Sequence, residues 1–250
     1  YVGNSQYFIT EACEYMNSFL SLYPTIGIIL NVCADHLDFF EDLNDIRHSF
    51  RHYTKNIPNH GALIINGSIE NLSYFTEGLS CKVVTFGLLP SCQFHAANIT
   101  YDAFACGSYD LMVKQDFVAH ITLSVPGEHN ILNSLAAIAA AYEMQIPLCQ
   151  IQTGLSRFHN ANRRFEKKGE THGFTIIDDY AHHPDEIRAT LTAAENYPHN
   201  KLWCIFQPHT YTRTKALLKE FAQALSLADY VVLADIYSAR ETDTLGISSE

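Results

Sequence analysis

Apolar residues along the chain recur at two spacings, and their alternation predicts an α/β fold. Short runs rich in β-branched and aromatic residues predict buried strands over 7–11, 25–32, 61–66 and 82–86. Residues 43–57 instead place apolar side chains such as Ile46 and Phe50 three or four positions apart, which is one face of a helix. Helices are predicted over 43–57, 68–79, 130–144 and 147–156. Strands that alternate with helices favour a mostly parallel sheet covered by helices.

The pattern changes at two places. Between 94 and 123, polar and apolar residues alternate, with breaks at 106–108 and 114–116, which predicts antiparallel hairpins. After a polar, turn-prone stretch at 158–162, a second alternation begins. It predicts strands over 164–168, 174–178, 201–206 and 230–235, and helices over 184–197 and 214–227. We therefore predict two domains, a central domain over 1–157 and a Rossmann-like domain over 158–250.

Composition and charge exclude several classes of protein. There are 16 basic against 27 acidic residues, a net charge of -11, so the clustered cations of a nucleic-acid groove are not expected. The apolar run at 135–142 is far shorter than the ~20 residues that cross a bilayer, so no membrane segment is expected. Seven cysteines without C-x-x-C spacing predict neither a disulfide framework nor a zinc site. Free thiols are typical of a reducing compartment, so we expect the protein in the cytoplasm. The oligomeric state stays open.

The beginning of the chain is acidic and lacks cations. Before the first basic residue, Arg47, the carboxylates are Glu11, Glu14, Asp35, Asp38, Glu41, Asp42 and Asp45. Glu11 ends the first predicted strand, and DHLD at 35–38 follows the second, where open α/β sheets bind ligands. Carboxylates at this edge suit Mg²⁺. The alternative is that Asp35 and Asp38 only cap the next helix, and that His36 is a packed or solvated imidazole.

Two successive strand-to-helix loops in the second half carry His and Tyr, and the second also carries the cation Arg213. DDYAHHP at 178–184 precedes a helix that begins at proline, and FQPHTYTRT at 206–214 repeats this layout. The N-terminus of a helix favours an anionic ligand. The alternative is an Asp-capped turn with two surface histidines.

Two further motifs are weak alone. RRFE at 163–166 lies at the predicted domain junction, where an Arg either grips phosphate with its planar fork or forms a structural pair. GEHNILN at 127–133 precedes an alanine-rich helix, and its asparagines either cap this helix or recognise a base.

Together, these motifs in this order resemble the Mur ligase superfamily, over nearly the whole chain. The matching features are Glu11, N-x-x-x-D-H-x-D at 31–38, GEHNILNSLAA at 127–137, RRFE at 163–166, DDYAHHP at 178–184, FQPHTYTRT at 206–214 and DIYSARETD at 235–243. The motif at 31–38 is typical of the superfamily, whereas DDYAHHP with QPHTYTRT is closer to its alanine-adding branch.

The resemblance implies an ATPase-like central domain and an ATP-dependent ligase of peptidoglycan synthesis that joins L-alanine to UDP-N-acetylmuramate. The lactyl carboxylate of the sugar would attack the γ-phosphate of ATP, and the amine of alanine would then attack the acyl phosphate. Closure across the linker would assemble the site and exclude water.

The resemblance also implies roles for single residues. The matches to the Mg²⁺ ligands are Glu11 and His36; the matches near the nucleotide are Asn133 or Asn130, Arg164 and Asp179; and the matches around the amino acid are Tyr180, His182, His209 and Arg213. Arg213 would pair with the carboxylate of alanine. Which histidine accepts the proton of the amine stays open, and so does metal binding by Glu14, Asp35 or Asp38.

The chain departs from the family pattern in two respects. No Gly is followed by Lys, so the phosphate-binding loop G-x-x-G-K-[ST] is not in this sequence. We therefore expect a segment of a longer protein, truncated at both ends and inactive alone. Thr210 stands where many relatives carry Arg. The competing hypotheses are a tripeptide-recycling Mur ligase, which tends to have Phe in place of Tyr180, and a non-catalytic nucleotide-binding remnant.

Overall fold

The computed structural model describes residues 3, 5–37, 39–243 and 245–249. The strands are β1 Ile26–Ile29, β2 Ala62–Asn66, β3 Lys82–Gly87, β4 Phe94–Tyr101, β5 Cys106–Val113, β6 Asp116–Pro126, β7 Glu166–Thr171, β8 Phe174–Asp178, β9 Trp203–Phe206 and β10 Tyr230–Leu233. The helices are α1 Leu43–Lys55, α2 Leu72–Thr76, α3 Glu128–Glu143, α4 Leu148–Ser156, α5 Pro184–Glu195, α6 Tyr211–Ala216 and α7 Leu218–Leu225, with a 3₁₀ helix at Tyr15–Ser21.

Strands β1 to β6 form one sheet in sequence order. The first four strands pair in parallel, and β4, β5 and β6 pair as antiparallel hairpins. This arrangement confirms the predicted α/β fold with a parallel sheet and an antiparallel region. Among the described residues, no helix is both long and apolar enough to cross a membrane.

Strand β2 separates two apolar cores. Successive side chains of a strand point to opposite faces of the sheet, so Ile64 packs in the cluster that includes α3 while Leu63 and Ile65 pack in the cluster that includes Tyr53 of α1. All three β2 side chains have no exposed surface. Coverage on both faces is typical of parallel strands flanked by helices.

The second part of the chain has its own sheets and core. Strands β9 and β10 pair in parallel, and β7 and β8 form an antiparallel hairpin. A third apolar cluster joins α5, α7 and Phe206 at the end of β9. The strand–helix–strand order fits the Rossmann-like expectation, and the boundary between 157 and 158 stays a prediction.

The strand predicted over 7–11 is wrong. This segment pairs with no strand, and the side chains of Phe8 and Ile9 are 89% and 85% exposed. An apolar run becomes a strand only where a neighbour satisfies its backbone hydrogen bonds. Among the described strands, β1 pairs only with β2.

Three other boundaries differ for local reasons. The break predicted at 106–108 lies inside β5, because the turn forms earlier, where the Asp102 carboxylate accepts hydrogen bonds from the backbone N–H groups of Phe104 and Cys106. The helix predicted over 68–79 shortens to α2, which follows a left-handed Asn71 with φ of 56°. The helix predicted over 214–227 is α6 and α7, which meet at the non-helical Leu217.

Candidate functional site

The loop after β1 forms an acid–imidazole cluster. His36 has φ of 53°, a left-handed conformation that turns the chain directly after Asp35. The His36 backbone N–H donates to Asp35 Oδ1 at 2.7 Å, and His36 Nε2 lies 3.7 Å from Glu14 Oε1 and 3.9 Å from Asp35 Oδ2. The Tyr15 ring lies over this imidazole, with centroids 4.9 Å apart.

The candidate metal ligands differ in whether they contact His36. Glu11 makes no ion pair or hydrogen bond to His36 within the described residues, so its role as a ligand stays a prediction. Asp38 lies outside the described residues. Glu14, which the sequence left open, is the carboxylate brought to His36 from the 3₁₀ segment.

Helix capping does not explain Asp35. The N-cap of α1 is Asp42, whose carboxylate accepts hydrogen bonds from Asn44 N at 2.7 Å and Asp45 N at 2.9 Å. Asp35 instead accepts a hydrogen bond from Arg213 of the second part of the chain, with Nη2 and Oδ1 3.0 Å apart. The capping alternative is therefore wrong for Asp35.

Arg213 lies between the two parts of the molecule. While Nη2 contacts Asp35, Nη1 lies 3.4 Å from Nδ1 of His209. Because a guanidinium only donates, His209 Nδ1 is the unprotonated acceptor in this contact. The Arg213 side chain is 14% exposed and that of Asp35 22%, so the ion pair is shielded from bulk solvent.

The pKa values follow from these contacts. Burial acts to raise the pKa of Asp35, but the Arg213 guanidinium and the His36 N–H outweigh it, and the pKa lies below its ordinary value. Burial lowers the pKa of His209, and the charges of Arg213 and His182 lower it further. His209 is therefore a neutral imidazole near pH 7.

The two strand-to-helix loops bring the predicted amino-acid site together. The ring centroid of His182 lies 6.0 Å from that of His209 and 5.2 Å from that of Tyr180. His182 Nδ1 lies 2.9 Å from the carbonyl oxygen of Tyr180, so this nitrogen carries the proton and Nε2 of a neutral ring is unprotonated. Tyr180 is half-exposed, beneath the guanidinium of Arg163 at 4.9 Å.

Sequence reasoning missed His183, which it grouped with surface histidines. His183 is 8% exposed and is the N-cap of α5, in a capping box with Glu186. Its Nδ1 accepts a hydrogen bond from Asp185 N at 3.3 Å, and its Nε2–H donates to the carbonyl of Ala34 at 3.1 Å. The position directly before a helix-starting proline was a signal for the cap, but nothing local indicated the contact with Ala34.

The four candidate nucleotide residues do not line the cavity described below, and they already have partners. Asn130 donates to Pro126 O at 2.7 Å, and Asn133 contacts Asn130 at 3.4 Å. Asp179 accepts from Phe165 N and Ala181 N, both at 2.7 Å. Arg164 Nη1 lies 3.3 Å from Glu186 Oε1.

A cavity of about 500 Å³ opens between the loop after β1 and the start of α6. Its walls include Asp35, His36, His209, Arg213 and Glu241. The carboxylate of Glu241 accepts a hydrogen bond from the backbone N–H of Thr212 at 3.0 Å, so the motif at 235–243 closes this side. A volume of this size suits a small ligand.

These features define a two-part α/β protein with a cation-bearing cavity between the parts. The Mur ligase middle domain model matches residues 2–141, and the model of the Mur ligase, glutamate ligase domain matches residues 163–249. The chain belongs to the Mur ligase family, which confirms the resemblance seen in the sequence.

The relatives point to one branch. The chain is 58% identical to the UDP-N-acetylmuramate--L-alanine ligase of Lachnospira eligens, covering 99% of this chain and 54% of that protein. It is 56% identical to the protein of that name from Agathobacter rectalis, and the match covers 100% of this chain and 54% of that protein. It is similar to the structure of UDP-N-acetylmuramate-alanine ligase MurC from Thermotoga maritima, with 29% identity and a TM-score of 0.71. This match covers 88% of this chain and 48% of that one. The chain spans about half the length of the curated relatives it matches.

Proposed function

We propose that this chain forms the central and carboxy-terminal parts of a cytoplasmic, ATP-dependent ligase that joins L-alanine to UDP-N-acetylmuramate in peptidoglycan synthesis. The observation that carries the proposal is the cavity in which Arg213 lies between a carboxylate and a neutral imidazole. The identity of 58% to a UDP-N-acetylmuramate--L-alanine ligase supports the choice of branch.

The site provides what an amino-acid substrate requires. The Arg213 guanidinium offers a planar fork of donors to the carboxylate of L-alanine. The amine must lose a proton before it attacks, and a neutral imidazole accepts this proton near pH 7. We assign that role to the neutral form of His182, in which Nδ1–H donates to the carbonyl of Tyr180 and Nε2 can accept a proton. His209 then orients Arg213.

The reaction has two steps. The lactyl carboxylate of UDP-N-acetylmuramate attacks the γ-phosphate of ATP, giving an acyl phosphate and ADP. The alanine amine attacks the acyl carbon, phosphate leaves, and the proton of the amine passes to the imidazole. The acyl phosphate is open to hydrolysis, so a cavity closed by both parts of the chain protects it.

We propose the surroundings of His36 as the place where Mg²⁺ binds. Glu14 presents carboxylate oxygens, the ligands that Mg²⁺ prefers, while imidazole is a less usual partner. We propose that Glu14 and His36 hold the ion, with Glu11 as the further ligand that the family resemblance implies. When bound, Mg²⁺ offsets the negative charge on the transferring phosphoryl group.

We keep the nucleotide assignment and the domain boundary as proposals. Phe165, the neighbour of Arg164 in sequence, donates its backbone N–H to Asp179. Both lie near the stretch at 158–162, where we place the boundary between domains 1–157 and 158–250. Asn130 and Asn133 lie in the first turns of α3. Binding ATP there requires exchange of their present hydrogen bonds.

The decisive experiment uses the full-length protein that contains this chain. Incubation with ATP, Mg²⁺ and UDP-N-acetylmuramate should give UDP-N-acetylmuramoyl-L-alanine when L-alanine is added. Turnover only with the tripeptide would support the recycling ligase, and turnover with neither would support a non-catalytic remnant. The 250-residue chain serves as the control: we expect no product from it, because no Gly-Lys step provides a phosphate-binding loop.

A further inference from the structure

Asp35 forms an ion pair with Arg213, the residue whose guanidinium we propose binds the carboxylate of the substrate. The ion pair links two loops that are 178 residues apart in sequence, one after β1 and one that begins α6. Both side chains line the cavity of about 500 Å³. A carboxylate of the protein therefore holds the place at Arg213 that a carboxylate ligand would take.

The pair uses only part of the binding capacity of Arg213. Nη2 alone reaches Asp35, and it shares Oδ1 with the His36 N–H, while Nη1 faces the weaker acceptor His209 Nδ1 at 3.4 Å. A free carboxylate in the cavity can accept hydrogen bonds from both arms of the fork, which is the stronger arrangement. A free carboxylate that replaces Asp35 can therefore form more hydrogen bonds with Arg213, and it brings the same negative charge.

A second contact keeps the loops together when the ion pair opens. Nε2–H of the buried His183 donates to Ala34 O at 3.1 Å, one residue before Asp35. The acceptor of this bond is a backbone carbonyl, and the bond involves no atom of Arg213. The loop after β1 can release Arg213 without leaving the second part of the chain.

We propose that Asp35 is an internal competitor, a carboxylate that occupies Arg213 until the carboxylate of the amino acid displaces it. Asp35 thereby sets the affinity of the site for the amino acid and keeps Arg213 aimed into the cavity in its absence. The identity of the ligand as L-alanine rests on the proposed function, whereas the competition at Arg213 does not.

The test compares ligand binding to the 250-residue chain and to Asp35→Asn, which keeps the shape of the side chain and removes its charge. Binding of L-alanine and of acetate is followed by NMR titration. Asp35→Asn should bind both at least about tenfold more tightly than the wild type, since the ligand no longer displaces an ion pair. Glu143→Gln is the matched control, because it removes one carboxylate from an ion pair outside the cavity, with Lys82 at 2.7 Å, and should leave both affinities unchanged.

The outcomes separate the two proposals. Tighter binding of acetate alone supports the competition and contradicts L-alanine as the ligand. Unchanged or weaker binding of both ligands to Asp35→Asn overturns the competition. If Asp35→Asn does not fold, the carboxyl ¹³C signal of Asp35 in the wild-type chain decides: saturation with either ligand should shift it, and an unmoved signal at saturation overturns the proposal.

Discussion

Strands β2 and β9 are both short, apolar and parallel to their neighbours, yet their surroundings differ. Every residue of β2 is buried, and Ile64 has no exposed surface. On β9, Ile205 is 78% exposed, and each residue of its partner β10 is exposed as well. The same apolar pattern therefore predicts a strand in both places but does not tell how many faces other layers cover. Strand β2, next to β1, is covered on both faces, whereas β9 has one open face.

The largest effect should come from creating a cavity at the buried strand β2. Ile64→Ala removes a side chain between packed layers and leaves a cavity, so we expect a loss of about 2 to 5 kcal/mol in the free energy of unfolding. Ile205→Ala, the matched change on β9, should cost less than about 0.5 kcal/mol because the side chain is exposed. Urea unfolding curves measure both. Equal losses would show that β9 is covered in solution.

The next effect concerns the cation in the cavity. In the full-length protein, Arg213→Lys should raise the Michaelis constant for L-alanine, at a cost of about 1.5 to 3 kcal/mol, because Lys offers a point charge without the fork. The constants for ATP and the sugar nucleotide should change little. Arg188→Lys, on an exposed position of α5, is the control. If all three constants change alike and the melting temperature falls, Arg213 is an anchor of α6 and not a substrate ligand.

The sequence indicated this part of the site because its chemistry is local. His182 and His209 lie in the loops that directly follow β8 and β9, and Arg213 lies in the helix α6 that begins after the second loop. The ends of predicted strands marked these positions, although β8 and β9 belong to different sheets. The contacts of Asp35 and His183 across the molecule were not predictable, since they depend on how two separately folded sheets are oriented. Periodicity describes what each segment buries and carries no information on that orientation.

A smaller effect is expected at the contact between the two parts. His183→Ala removes both the cap of α5 and the hydrogen bond to Ala34, and should cost about 1 to 2 kcal/mol of stability. His183→Asn keeps a favourable capping residue and loses only the contact with Ala34, so it should cost less. Urea unfolding of the two variants separates the contribution of the helix cap from that of the hydrogen bond to Ala34. If both variants lose the same stability, the cap contributes nothing, and the bond to Ala34 carries the whole effect.

The smallest effect is a dependence of stability on pH through His209. Burial and the charges of Arg213 and His182 hold the pKa of His209 below its value in the unfolded chain, so the unfolded state binds the proton more readily. The stability contributed by keeping this imidazole neutral is complete above the ordinary histidine pKa of about 6.5 and is lost as the pH falls through the lower folded value.

His209→Gln, which cannot titrate, should therefore lose less stability than the wild type between about pH 6.5 and 5. His159→Gln is the control, because it makes the same replacement at an exposed histidine outside the cavity. Melting temperatures across this range measure the slope, and a slope unchanged in His209→Gln would mean that His209 titrates alike in the folded and unfolded chain.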